Sequence, residues 1–160
     1  MAVDMFLKIE GIDGESVDKA HAGEIDVLSW SWSMSQSGSA HLGGGGGAGK
    51  VNVQDLVFMH YVDKASANLA LFCCNGKHIP EVLLTVRKAG ENPLEYLKVK
   101  MTDVLVSSIS TGGSGGEDRI AETVSLNFAQ FSVTYTPQKK DGTGDAAVEM
   151  GWSIEQNAAA

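Results

Sequence analysis

The sequence predicts a mainly β fold, an antiparallel β-barrel of about seven or more strands carrying one α-helix. Three observations point there. Residues 94–136 hold two long runs rich in Val, Ile, Thr, Phe and Tyr on either side of the connection GGSGGED, the pattern of a β-hairpin with an extended loop. Residues 24–36 alternate, with Leu28, Trp30, Trp32 and Met34 on one face and Ser29, Ser31, Ser33 and Ser35 on the other. Residues 63–75 carry the one helical period, through Leu69, Phe72 and Cys73.

The hairpin contains a further signal. In its first arm Leu97, Val99 and Met101 share a face, and after Asp103 the apolar parity flips to Val104 and Val106. In its second arm Val124, Leu126 and Phe128 share a face, and after Gln130 the parity flips to Phe131, Val133 and Tyr135. A strand has period two, so each flip marks an extra residue or a change of buried face. The flips lie at similar distances from the turn. They predict a paired bulge or bend where the hairpin leaves one sheet and closes a barrel, an expectation that regular pairing through Asp103 and Gln130 would exclude.

The other elements follow in order. Val3–Ile9 reads as a first strand, and residues 11–23 as a polar, acidic surface loop in which His21 faces solvent or packs against the loop. The strand at 24–36 has one face in a core, where two indoles supply large burial. Its serine face is uniformly small and neutral, which fits a plain exposed face or the lining of a cavity or channel. Residues 50–61 form another strand, Val51 and Val53 alternating with Asn52 and Gln54 before the run turns apolar. Asp63 or Ser66 caps the helix start, and Asn75-Gly76 supplies a left-handed stop. Ile79–Lys88 is a strand with Val82, Leu84 and Val86 on one side, followed by a turn at 89–93. After a polar connection at 138–145, residues 147–156 form a closing strand with Val148, Met150, Trp152 and Ile154 on one face. The tail at 157–160 has little to bury and frays. No internal repeat or linker interrupts the chain, so residues 1–160 read as one domain.

Composition removes several functions. The formal net charge is −8, which disfavours a grip on nucleic acid or anionic membrane. The N-terminal residues show no secretory leader, and no apolar run reaches membrane-spanning length. The two cysteines, Cys73 and Cys74, are adjacent, so a disulfide between them would be strained and a cross-linked scaffold is disfavoured. Cytosolic synthesis follows, with export by a route that reads no leader left open.

Enzyme signatures fare no better. Gly44, Gly49 and Lys50 begin a phosphate-binding loop, but Val51 stands where a Ser or Thr should hold Mg²⁺, and a strand follows instead of a helix. Cys74 near His78 lacks the further ligands or acids that metal or nucleophilic chemistry needs. Glu117 and Asp118, beside Arg119, suit a solvated turn or an inter-subunit contact better than a glycosidase carboxylate pair. The expectation is therefore no catalytic residues, no metal and no cofactor.

Four stretches resemble one family. LVSSISTGGSGGEDRIAETVSLNFAQ at 105–130, EIDVLSWSWSMSQSGS at 24–39, GGGGGAGKVNVQDL at 43–56 and the N-terminal MAVDMFLKIEG are similar to Hcp proteins (haemolysin-coregulated proteins), the tube subunits of type VI secretion systems. The matches span nearly the whole chain in the family's order. The resemblance implies hexameric rings that stack into an inner tube, are exported, and carry small effectors in the lumen. It implies partners as well: further copies of the chain, a spike (VgrG-type) protein, secreted effectors and a contractile sheath, with no nucleic acid and no membrane anchor. It implies synthesis in the bacterial cytoplasm and secretion without a signal peptide. Ser29, Ser31, Ser33 and Ser35 would then face the lumen, Ser31 matching a lumen position of the family motif. Ser39, His41, Leu42, Gly43, Gly44, Gly45, Gly46 and Gly47 would form a loop reaching neighbouring subunits and rings, and Glu117, Asp118 and Arg119 an inter-subunit turn. The residues alone leave a second reading, a soluble barrel that binds a small ligand or carbohydrate.

Overall fold

The computed structural model describes residues 2–38 and 49–160. Its strands are β1 (Val3–Ile9), β2 (Ile25–Asp26), β3 (Ser29–Ser31), β4 (Met34–Ser35), β5 (Asn52–Val53), β6 (Leu56–Tyr61), β7 (Ile79–Lys88), β8 (Leu94–Gly112), β9 (Ala121–Tyr135), β10 (Val148–Ser153) and β11 (Ala158–Ala159), with the helix α1 (Ser66–Asn75) between β6 and β7. Every strand pairing is antiparallel, and β8 with β9 forms the long hairpin that the β-branched and aromatic runs predict.

The sheet closes on itself. The path β1–β7–β8–β9–β6 ends at β3, and β3 continues the chain from β2, which pairs with β1. The seam is made by backbone bonds: Val27 N donates to Met5 O at 2.9 Å, and the next residue, Leu28 N, donates to Met59 O at 2.8 Å. One segment thus leaves β1 and joins β6 within two residues. The barrel's interior is a single apolar cluster in which Leu7, Ile25, Leu56, Phe58, Leu84, Met101 and Leu126 are buried. Each such side chain contributes about 1.5–3 kcal/mol of hydrophobic stabilisation.

This seam corrects the reading of 24–36 as one strand. Ile25 and Val27 point inward, Leu28 and Ser29 both point outward, and Trp30 and Trp32 turn inward again. The parity changes because the segment exchanges one neighbour for another. Leu28 and Met34, expected among the buried residues, are 41% and 43% exposed. Met34 is exposed because β4 pairs only with β5, in a two-stranded ribbon apart from the barrel.

The hairpin has its own break, close to the expected place. Thr102 pairs with Gln130 and Val104 with Phe128, while Asp103 and Ala129 between them form no rung. Asp103 adopts φ 55°, and Ala129 O accepts a bond from Ile154 N at 2.8 Å instead. On β7 the residue facing Asp103 is Pro80, which has no N–H to give. The break is thus at Asp103 and Ala129, whereas Gln130 pairs regularly with Thr102. The register is the same on both sides, so no residue is inserted there; the extra residue is Ser107, where the register shifts between Val106 and Ser108. At this break β9 exchanges partners, from β6 along Ala121–Leu126 to β10 along Gln130–Tyr135.

The helix begins at Ser66, three residues later than Asp63, because Asp63 and Ser66 first make a turn: Asp63 Oδ1 accepts from Ala65 N at 2.9 Å and Asp63 N donates to Ser66 Oγ at 3.1 Å. Leu69 is buried and Phe72 and Cys73 pack against the core, as their spacing predicts. Gly76 ends the helix at φ 67°, its N–H donating to Phe72 O. The closing strand carries Val148, Met150, Trp152 and Ile154 on one face, but only its end is covered: Val148 is 65% and Met150 47% exposed, while Trp152 and Ile154 touch the core. The tail forms β11 on the edge of β10. His21 is buried, with Nδ1 2.8 Å from Glu24 Oε2, Nε2 2.6 Å from Glu95 Oε1 and its ring stacked on Phe6.

Candidate functional site

Directly paired residues of an antiparallel sheet share a face. Ser29 pairs with Met59, Met59 with Thr123, and Thr123 with Ser110. One rung along, Ser31 pairs with Val57, Val57 with Ser125, and Ser125 with Ser108. These two rungs cross four strands on the outer surface of the barrel, with Phe58, Val124 and Leu126 buried behind them. The result is a wall of small hydroxyls with two apolar interruptions and no charge on either rung.

Of the four predicted serines, Ser29 and Ser31 lie in these rungs and both are exposed. Ser33 lies just beyond β3, where its carbonyl accepts a bond from Gln54 N at 2.9 Å. Ser35 is on the separate ribbon, paired with Asn52, and does not belong to the wall. The indoles lie on the other side of the strand, as expected. Trp32 meets Phe131 edge-on with centroids 4.8 Å apart, and its Nε1 donates to Gln54 O at 3.0 Å. Ser107, Ser108, Ser110, Thr123, Ser125 and Asn127 were not foreseen as part of the site. The alternation of Thr123, Ser125 and Asn127 with Val124, Leu126 and Phe128 is visible in the chain, but the register that sets these strands beside Ser29 and Ser31 is not.

A concavity of about 420 Å³ opens beside Ser31, floored by Ser33, Val57 and Asp55. Both Asp55 oxygens are engaged: Oδ2 accepts from Ser107 Oγ at 2.6 Å and Oδ1 from Asn127 Nδ2 at 2.8 Å. The inserted Ser107 makes the first bond possible, because the bulge turns it outward beside Ser108.

The turn residues Glu117, Asp118 and Arg119 are exposed in the hairpin connection, and the Arg119 guanidinium sits 3.9 Å from the Tyr61 ring centroid. Ser39, His41, Leu42, Gly43, Gly44, Gly45, Gly46 and Gly47 lie outside the described residues. Near the turn a buried polar group supports the barrel end: His60 Nε2 is 2.8 Å from Glu122 Oε1, and Thr111 Oγ1 donates to Glu122 Oε2 at 3.0 Å. Burial raises the neighbouring Asp63 carboxyl above its ordinary range. Among the described residues, no group of three or more His, Cys, Asp or Glu is placed to hold a metal ion.

Comparison with known proteins accounts for the barrel. Residues 6–135 match the family described as "Type VI secretion system effector, Hcp". Protein hcp1 of Pseudomonas aeruginosa is 66% identical over 159 residues, covering 98% of this chain and 98% of that protein. The chain belongs to the Hcp family. Among solved structures, Hcp1 from Salmonella typhimurium is 45% identical, with TM-score 0.83 and full coverage of both chains. A structure described as a type six secretion system protein is 29% identical, with TM-score 0.94 over 99% of this chain and 100% of the other. A type VI secretion system effector from Yersinia pestis is 38% identical, with TM-score 0.78 over 94% of this chain and 99% of the other. Membership in the Hcp family makes the chain a component of the type VI secretion apparatus.

Proposed function

We propose that the whole chain acts as one barrel unit that assembles into hexameric rings, and that the rings stack into the inner tube of the apparatus. In this reading the protein is made in the cytoplasm, leaves through the type VI machine, and carries small effectors in the ring's lumen. Its partners are further copies, a spike protein of the VgrG type, the effectors, and the surrounding contractile sheath. The observation that carries the reading is the hydroxyl wall across four strands, uncharged on both rungs and backed by the core. A surface that must let cargo bind and leave is served by many weak hydrogen bonds, repeated around the ring.

A closed ring needs a heterologous contact, one surface meeting a different one on the next copy. The outer edge of β10 suits such a contact: among the described residues β11 covers only Trp152 and Ser153, leaving the rest of the edge beside exposed Val148 and Met150. Light scattering and negative-stain images test the proposal. Six-fold rings are expected, and protomers alone at every concentration would overturn it. The sugar-binding reading is not favoured, because Trp30 and Trp32 pack against the core instead of presenting open ring faces.

A further inference from the structure

We infer that the concavity beside Ser31 is a cargo subsite for a basic side chain, with Asp55 as its anchor. The inference rests on the wall being the cargo surface, and adds which chemistry that surface selects. Among the described residues, Asp55 is the one charged residue lining the concavity of about 420 Å³. Its carboxylate is held from behind, by Ser107 Oγ at 2.6 Å and Asn127 Nδ2 at 2.8 Å. These two donors fix the plane of the group before any ligand arrives, so little side-chain freedom is lost on binding. Each oxygen keeps acceptor capacity beyond the bond it already takes. The residue is half-buried, which weakens solvent screening relative to an open surface. Around it stand the Ser31 and Ser33 hydroxyls, able to accept the N–H groups that a carboxylate leaves over, and Val57, which suits an aliphatic stem.

A guanidinium or ammonium fits this set, and an anion does not. The adjoining rungs carry no cation to recruit an acidic group: they are Ser29, Met59, Thr123 and Ser110, then Ser31, Val57, Ser125 and Ser108. A ring of six copies would present six such carboxylates at one level of the lumen. Cargo would then be selected by basic side chains on its surface, with the serines supplying tolerance of the surrounding sequence.

The probe is the peptide Gly-Ser-Arg-Ser-Gly, compared with the same peptide carrying Gln or Glu in place of Arg. Amide shifts of Ser31, Ser33, Asp55 and Asn127 are followed by NMR, and ring size is followed separately by light scattering. The Arg peptide should shift these residues, the Gln peptide should bind roughly tenfold or more weakly, and the Glu peptide weaker still. Asp55→Asn should reduce Arg-peptide binding toward the Gln-peptide level while rings persist. Raising salt from 50 to 300 mM should weaken the Arg peptide and leave the Gln peptide little changed. Equal binding of the three peptides, or full Arg-peptide binding by Asp55→Asn, would overturn the subsite. The peptide comparison on the unaltered protein decides the matter even if Asp55→Asn misfolds. Absence of rings would instead strike the tube reading, while the shifts still report whether the concavity selects a cation.

Discussion

One side chain, Arg87, shows how a single residue ties the N-terminal segment to the barrel. Arg87 donates to Asp18 Oδ2 at 2.6 Å and to Asp4 Oδ2 at 3.0 Å, and its guanidinium lies 5.0 Å from the Phe6 ring centroid. The bond from Arg87 lowers the Asp18 carboxyl from 3.8 to about 2, and the two carboxylates hold Arg87 protonated. A depressed carboxyl contributes stability that is complete above its unfolded pKa and disappears as pH falls through the folded one. The Asp18 contribution should therefore fade between pH 4 and 2. Denaturation midpoints measured across that range should fall for the unaltered protein, and Arg87→Leu should flatten that part of the curve. His60 is a different case, since its pair with Glu122 is fully enclosed. Replacing Glu122 by Leu should cost about 1–3 kcal/mol in a chemical denaturation, the cost of leaving a buried polar partner unsatisfied.

At the level of strands, the corners explain what could and could not be read from the chain. The parity flips in β8 and β9 were legible because both arms are long, alternate cleanly and are joined by a local turn. The corner at Leu28 was not legible, because the neighbours exchanged there, Met5 and Met59, are distant in sequence. Its alternation also looks unbroken: Leu28 and Trp30 are both large and apolar, and the chain alone does not say that only one of them is inward. The same limit applied to the wall. Its serine row was visible on one strand, but Asp55, Ser107 and Asn127 meet only through pairings between remote segments. Local conformation at a corner is testable. Asp103 sits at φ 55°, which glycine adopts freely and a β-branched residue does not. Asp103→Gly should therefore stay within about 1 kcal/mol of the unaltered protein, although it loses the 2.6 Å contact with His78, whereas Asp103→Val should cost about 1–3 kcal/mol. Gly151 tests the other margin: a Cβ there would meet Ala160 O at 2.6 Å. Gly151→Ala should detach β11, seen as faster hydrogen exchange at Ala160, whose N–H donates to Gly151 O, with the barrel amides unchanged.

For the whole molecule, the barrel is a rigid support for a surface that it does not itself consume. The wall residues point away from the core, so changing one alters the surface at little cost to folding. Ser31→Trp should leave the unfolding midpoint and the ring size unchanged while reducing retention of co-expressed effector in pull-downs of the rings. A loss of rings in that variant would place Ser31 in a subunit contact instead. The long hairpin has a mechanical meaning too. β9 pairs with β6 along one half and with β10 along the other, with β8 beside it throughout, and at roughly 3.3 Å per residue β8 has a contour length of about 60 Å. A load directed along these strands meets the β8–β9 bonds in shear, where many must yield together, and not in peeling, where they yield one after another. If the proposed tube forms with these strands along its axis, a load along that axis would meet the hairpin in this sense, and each protomer would resist separation of its own halves.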